Sequence, residues 1–138
     1  MTKHVVAEVA DFAEREIRHV EAGGKPIALV RLGGEFFALL DRCPHAGAQL
    51  SSGRLAHEIA SDGPGDYRVC RRDEMLRCPW HGWEYDLRTG QSWSDPKSTR
   101  TRAFATELVE GEDLVKGPYV AETVPVQVEG EYVVVELP

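Results

Sequence analysis

Two short runs of the sequence, Cys43-Pro44-His45 and Cys78-Pro79-Trp80-His81, each combine a thiol with an imidazole. Thiolate sulfur and imidazole nitrogen both coordinate transition metals, and the short spacing within each run lets both donors point at one site. Each run leads into glycine, as His45-Ala46-Gly47 and His81-Gly82-Trp83, and glycine permits a close approach of the backbone to a bound group. The two runs therefore predict one metal centre with two Cys and two His ligands.

Two kinds of metal centre use this ligand set. A structural zinc site usually pairs like ligands, with Cys-x₂₋₄-Cys followed by His-x₃₋₅-His. A [2Fe–2S] cluster can instead be bound by two Cys on one iron and two His on the other. Each run here mixes one Cys with one His, which favours the cluster. A structural zinc-binding interaction module remains the alternative.

The sequence resembles the Rieske family, specifically the Rieske-type ferredoxins and the Rieske domain of aromatic-ring-hydroxylating oxygenases. The resemblance implies an all-β, Rieske-type fold of three small antiparallel sheets, with a cluster-binding subdomain at about residues 41–96 of a single domain, 1–138. The matching residues are Cys43–Leu50 with Ser52-Gly53 and Cys78–Asp86, and the likeness extends from about Ala28 to the terminal strand pair Val124–Leu137.

The resemblance also implies the roles of individual residues. Cys43 and Cys78 would hold the inner iron as thiolates, and His45 and His81 would hold the outer, more exposed iron through ring nitrogens. The other family positions around the cluster correspond here to Gly47, Trp80, Gly82, Trp83, Tyr85 and Pro96. Pro96 falls where the family has a proline-containing loop over the cluster, and Pro118 is its rival for that place.

Several of these positions differ from the respiratory-complex branch of the family. Ala48 and Trp80 stand where that branch has a disulfide, and Trp83 stands where it has a Ser that donates to a cluster sulfur. Tyr85 keeps a second donor position. Fewer donors stabilise added negative charge less, so the sequence predicts a low-potential cluster. We expect packing and shielding of the loops to be the main role of Trp80 and Trp83.

The spacing between the two runs is longer than the family commonly has. There are 32 residues from Ala46 to Arg77, and Leu55–Leu76 is interpreted as an insertion. It contains Asp62-Gly63-Pro64-Gly65-Asp66, a strong turn signal. Because the cost of loop closure grows slowly with length, the insertion leaves the ligand assignment intact.

Short strand-like runs recur along the rest of the chain and predict an all-β protein. Gly33-Gly34, Thr89-Gly90 and Glu129-Gly130-Glu131 are expected turns, and Asp11–Arg18 is the one candidate helix. The predicted strands are His4–Val9, Ile17–Glu21, Ile27–Arg31, Glu35–Leu40, Tyr67–Arg72, Glu84–Leu87, Val124–Glu129 and Glu131–Leu137.

Composition narrows the function further. The chain has 138 residues and a net charge of −7, which argues against a nucleic-acid partner because phosphates need a basic surface. No apolar run reaches the roughly 20 residues of a membrane span or resembles a signal peptide.

Of three Cys, two are assigned to metal, so only Cys70 remains and no intramolecular disulfide is available. A reducing cytoplasm is the expected compartment. Cys70 is interpreted as a plain strand residue, with a redox-sensing thiol as the alternative.

The expected function is that of a Rieske ferredoxin-like electron carrier, passing one electron at a time from a flavin reductase to an oxygenase or similar acceptor. The alternative is an accessory Rieske subunit of a larger oxidoreductase complex. A mononuclear oxygenase iron would need two His and a carboxylate, and the remaining His4, His19 and His57 are scattered. The chain alone is therefore not expected to catalyse oxygenation.

Charge is distributed unevenly along the sequence. Residues 68–102 contain eight basic and five acidic residues, whereas the remainder contains eight basic and eighteen acidic residues. This segment includes the second Cys/His run. A basic surface beside the metal site would favour an acidic partner, although charge runs are often only solvated surface.

Overall fold

The structure is a computed structural model that describes residues 2–44, 47–63, 66–79, 82–92, 100–115 and 129–138, with the backbone alone for 57–63, 66–74 and 115. The chain forms two compact units. One comprises Met1–Leu40 with Phe104–Pro138, and the other is Asp41–Ala103.

In the part of the chain that the structure describes, ten strands form three antiparallel sheets, which confirms the predicted all-β class. The sheet orders are β1-β10-β9, β2-β3-β4-β8 and β5-β6-β7. A five-residue helix, α1, and two 3-10 turns at Val9–Asp11 and Leu50–Ser52 complete the described elements. The bounds are β1 Thr2–Glu8, β2 Ile17–Ala22, β3 Lys25–Leu32, β4 Glu35–Leu40, β5 Arg54–Gly63, β6 Asp66–Arg77, β7 Glu84–Asp86, β8 Ala103–Phe104, β9 Thr106–Glu110, α1 Gly111–Val115 and β10 Glu131–Leu137.

Strand β10 organises the core of the first unit because it is buried on both faces. Val133 and Val135 belong to one apolar cluster with the side chains of β3, whereas Tyr132 and Val134 pack with Leu114 in another. Since successive residues of a strand point to opposite faces, one strand supplies both clusters. The run predicted at Glu131–Leu137 is confirmed to the residue.

The hairpin of β3 and β4 is also as predicted. Gly33 and Gly34 form its two-residue turn, with Leu32 paired to Glu35 and Gly33 at φ = 64°. A positive φ suits the turn that matches the twist of paired strands, and glycine adopts it without steric cost. The Gly-Gly pair therefore sets the register of the two strands.

The predicted helix at Asp11–Arg18 is wrong. The chain ends its 3-10 turn at Asp11, places Arg15 at φ = 66° and enters β2 at Ile17. The Arg15 amide donates to the Arg31 carbonyl at 3.0 Å, so the segment is tied to β3. The Glu16 carboxylate accepts from the Ala13 amide and from Arg18, which lowers the pKa of Glu16.

In the second unit, β5 and β6 form a long hairpin to which β7 adds a third strand. This hairpin spans the range interpreted as an insertion. Gly63 pairs with Asp66 on either side of its turn, as the turn signal predicts. Strand β6 is longer than the predicted Tyr67–Arg72, and β5 was not predicted. The predicted strand Val124–Glu129 lies almost wholly outside the described residues.

Among the described residues, no helix combines the length and apolar character needed to cross a membrane.

Candidate metal centre

The first Cys/His run forms a tight backbone turn that starts at Cys43. The Cys43 amide donates to the Ala48 carbonyl at 2.7 Å, and the Gly47 amide donates to the Cys43 carbonyl at 2.7 Å. Gly47 has φ = 79°, a conformation that residues with a Cβ seldom adopt. An added Cβ would meet no atom within 4 Å, so the backbone angle, not crowding, is what requires glycine here.

The second run repeats this turn. The Cys78 amide donates to the Trp83 carbonyl at 2.7 Å, and the Gly82 amide donates to the Cys78 carbonyl at 3.1 Å. Gly82 has φ = 71° and also has open space around its Cβ position. Both cysteines thus occupy the same place in two equivalent turns, each with glycine four residues later.

Both cysteine side chains are buried and neither forms a disulfide. Cys43 is 0% exposed and Cys78 is 1% exposed. The Tyr85 hydroxyl lies 3.1 Å from Cys43 Sγ and is itself fully buried. When the sulfur is a thiolate, this hydroxyl is the donor, because a thiolate has no proton.

The buried carboxylate of Asp41 holds together the two ends of the loop that contains the first turn. Asp41 is 5% exposed, and its two oxygens accept from Ser51: Oδ1 from the backbone amide at 2.7 Å and Oδ2 from the hydroxyl at 2.6 Å. Asp41 precedes Cys43 by two residues, and Ser51 follows the turn in the 3-10 segment. The pair therefore closes the loop that carries the first cysteine.

Another carboxylate orders the chain after the second turn. Asp86 Oδ1 accepts from the amides of Arg88 and Thr89 at 2.7 Å and 3.2 Å. The Gly90 amide donates to the Asp86 carbonyl at 2.8 Å, so the turn predicted at Thr89-Gly90 is confirmed. The Asp86 carboxylate therefore serves as the acceptor for two amides that lie just beyond the end of β7.

Four of the predicted site residues, His45, Trp80, His81 and Pro96, lie outside the described residues, as does Pro118. Trp83 is half-buried. Within the described part of the chain no three metal-ligating side chains gather. The donors that are described, two buried thiols at equivalent positions with a hydroxyl on one of them, fit the thiolate half of a [2Fe–2S] cluster.

Sequence reasoning missed Asp41 and Ser51 as parts of this site. Asp41 and Ser51 lie ten residues apart on either side of the first run, a separation with no periodic signal. The available hint was an Asp two residues before Cys43 and a Ser shortly after the turn, because such residues commonly bond to nearby backbone.

Comparisons with known proteins agree with this geometry. The family model for the Rieske [2Fe-2S] domain matches residues 2–108. Ferredoxin CarAc of Metapseudomonas resinovorans is 33% identical over 113 residues, covering 81% of this chain and 91% of that protein. The anthranilate 1,2-dioxygenase ferredoxin subunit of Burkholderia cepacia is 31% identical over 109 residues, covering 79% of this chain and 86% of that protein.

A similar fold is found in a solved complex of an oxygenase and a ferredoxin. In the complex of reduced oxygenase and oxidized ferredoxin of carbazole 1,9a-dioxygenase, the matching chain has a TM-score of 0.60 and 25% identity, with 95% of this chain and 91% of that chain covered. The matched relatives and the paired cysteine turns lead to one assignment. The chain belongs to the Rieske [2Fe-2S] domain family and is a ferredoxin-type electron carrier that binds a Rieske-type [2Fe–2S] cluster.

Proposed function

We propose that Cys43 and Cys78 hold the inner iron of the cluster as thiolates and that His45 and His81 hold the outer iron through ring nitrogens. The observation that carries this is the pair of equivalent turns, each with a buried cysteine outside any disulfide at its first residue. The imidazole assignment is supported by the sequence alone, where each His follows its Cys within the same run.

A cluster held by these residues would supply one-electron transfer. The residues of this chain set how easily that happens. Tyr85 donates to the Cys43 thiolate, which stabilises the extra negative charge of the reduced state. The two glycine turns fix the cysteines, so little rearrangement is needed between redox states.

The electron is proposed to arrive from a flavin reductase and to leave for an oxygenase-type protein. The ferredoxin–oxygenase complex among the solved structures supports the acceptor, and the dioxygenase ferredoxins among the relatives support the setting. We infer that this chain performs no catalysis alone, since its assigned donors are all used by the cluster. Its cysteine usage supports a reducing, cytoplasmic compartment, and its net charge of −7 argues against a nucleic-acid partner.

Metal analysis of the purified protein tests this assignment. The expected result is a red-brown protein with about two irons and two acid-labile sulfides per chain. Cys43→Ser and Cys78→Ser are expected to lose the cluster and to unfold its surroundings, because ligation and folding are coupled. Cys70→Ser is the matched control, and it should keep both colour and iron. A colourless protein with one zinc would refute the proposal in favour of the zinc-binding module.

A second experiment separates a free carrier from an accessory subunit. A carrier is expected to elute alone in gel filtration and to be reduced by a flavin reductase added in catalytic amount. A subunit that works only within a complex would co-elute with its co-expressed partner and would not be reduced when isolated.

A further inference from the structure

Three charged residues form one row across the sheet of β5, β6 and β7. Arg54 pairs with Arg77, and Arg77 pairs with Glu84. Directly opposed residues in antiparallel strands project from the same face, and like charges so placed destabilise the sheet. This row therefore carries two guanidinium groups and one carboxylate, and it ends the sheet next to Cys78.

The contacts within the row leave much donor capacity unused. Arg77 Nη2 lies 3.4 Å from Glu84 Oε1, a long contact between side chains that are 39% and 27% exposed. Arg77 Nε is buried and has no hydrogen-bond partner. The exposed side chain of Arg54 has no ion-pair or hydrogen-bond partner among the residues that the structure describes. A guanidinium has five donors, so the one long contact satisfies little of the Arg77 group and none of the Arg54 group.

Both arginines line a cavity of about 400 Å³ that is also bounded by Gly53, Cys78, Pro79 and Gly82. Neither Cys43 nor Tyr85 is among its described lining residues, so the cavity is separate from the thiol–hydroxyl contact described above. The described lining contains no carboxylate. The described part of the lining is consequently positively charged.

We propose that this cavity is a binding site for a small oxyanion of the phosphate or carboxylate class. The oxyanion accepts hydrogen bonds from Arg54 and Arg77, whose planar groups match its geometry, and it relieves the repulsion between them. Glu84 competes with the oxyanion for Arg77. The cavity is large enough for a phosphate ion or a short dicarboxylate.

Binding at this place has a redox consequence, which rests on the proposed ligation of the cluster by Cys78. An anion in a cavity bounded by Cys78 adds negative charge beside the inner iron. Reduction adds negative charge at the same centre, so the bound anion disfavours it and lowers the midpoint potential.

The experiment titrates the holoprotein with inorganic phosphate, and separately with glutarate, at constant ionic strength set by a bulky sulfonate buffer. Calorimetry measures the affinity for the anion, and protein-film voltammetry measures the midpoint potential of the cluster. Saturable binding with a parallel fall in potential is expected for the wild type. Arg54→Gln should weaken binding about tenfold, the effect of losing one charged hydrogen-bond donor. Glu84→Gln should strengthen binding, because it removes the competing carboxylate.

Arg88→Gln is the matched control, since it removes the same charge from an exposed side chain of the same unit outside the cavity. Its affinity should equal that of the wild type. The inference is overturned if the wild type shows no saturable binding, or if Arg54→Gln binds as tightly as Arg88→Gln. Iron content separates the two proposals. A purified wild type without a cluster refutes the proposed function, whereas an intact cluster without anion binding refutes only the oxyanion site.

Discussion

Gly53 lies directly against the carbonyl of Arg77, so close that a Cβ on Gly53 would stand 1.9 Å from the Arg77 oxygen. The register explains the closeness, because Arg54 pairs with Arg77 at the first position of the β5–β6 ladder. Gly53 ends the segment that follows the first cysteine turn, and Arg77 directly precedes Cys78. The contact joins the end of one cysteine loop to the start of the other.

Gly53→Ala is expected to disrupt the metal centre, because the backbone carbonyl of Arg77 cannot move without moving Cys78. The cost should reach about 3 kcal/mol of unfolding free energy, the upper range for overpacking. Denaturant unfolding and the visible absorbance of the cluster measure it. Gly34→Ala is the control, since that glycine has open space and an ordinary φ. Equal stability and colour in the two variants would contradict this role for Gly53.

Asp41→Ala is expected to destabilise the first cysteine loop by about 2–4 kcal/mol, because it removes two hydrogen bonds to a buried charged acceptor. Ser51→Ala removes only the hydroxyl bond and should cost about 1 kcal/mol. Equilibrium unfolding in urea gives both values. If both variants lose the same free energy of unfolding, the hydrogen bond from the Ser51 backbone amide to Asp41 contributes nothing to stability.

Local patterns in the sequence predicted the parts of the fold that depend on local chemistry. The apolar runs of β4 and β10 and the Gly33-Gly34 pair could be recognised because each signal lies within a few adjacent residues. The helix predicted at Asp11–Arg18 was wrong because backbone hydrogen bonds with Arg31 override a weak helical preference. Arg15 also takes a left-handed backbone conformation that its residue type does not predict.

The site divides in the same way. The two cysteine runs could be recognised because donor chemistry and spacing lie side by side in the sequence. The roles of Gly53 and of the Arg54–Arg77–Glu84 row could not, since they depend on the register of a hairpin whose first strand has no clear alternation. Register is a long-range property, fixed only when the strands pair.

Tyr85→Phe is expected to lower the midpoint potential, because it deletes the hydroxyl that donates to the Cys43 thiolate and leaves the ring in place. Voltammetry of the holoprotein measures the shift. Tyr132→Phe is the control, a fully buried tyrosine in the β1-β10-β9 sheet. A potential that is unchanged in Tyr85→Phe, or changed equally in both variants, would show that the hydroxyl does not act on the sulfur.

The midpoint potential of the wild type is predicted near the low end of the Rieske range, on the order of −150 mV rather than +300 mV. The reason is the missing hydroxyl donor at Trp83 and the missing disulfide at Ala48 and Trp80. Trp83→Ser should raise the potential by restoring a donor. A wild-type midpoint well above zero would exclude the low-potential assignment.

Docking of an acidic partner is predicted from the excess of basic residues in the segment 68–102. The side chains of Arg71 and Arg72 lie outside the described set, so their part in docking is a prediction from sequence. If this segment attracts the partner, the rate of electron transfer should fall steeply as salt screens the charges beyond about 0.1 M. Reversing both residues to Glu should slow transfer without changing the cluster spectrum, because neither is an assigned ligand. Lys25→Glu, which changes charge in the other unit, should leave the rate nearly unchanged. Transfer rates that are independent of ionic strength, or equal in the double variant and the wild type, would mean that the partner is recognised by contacts other than these charges.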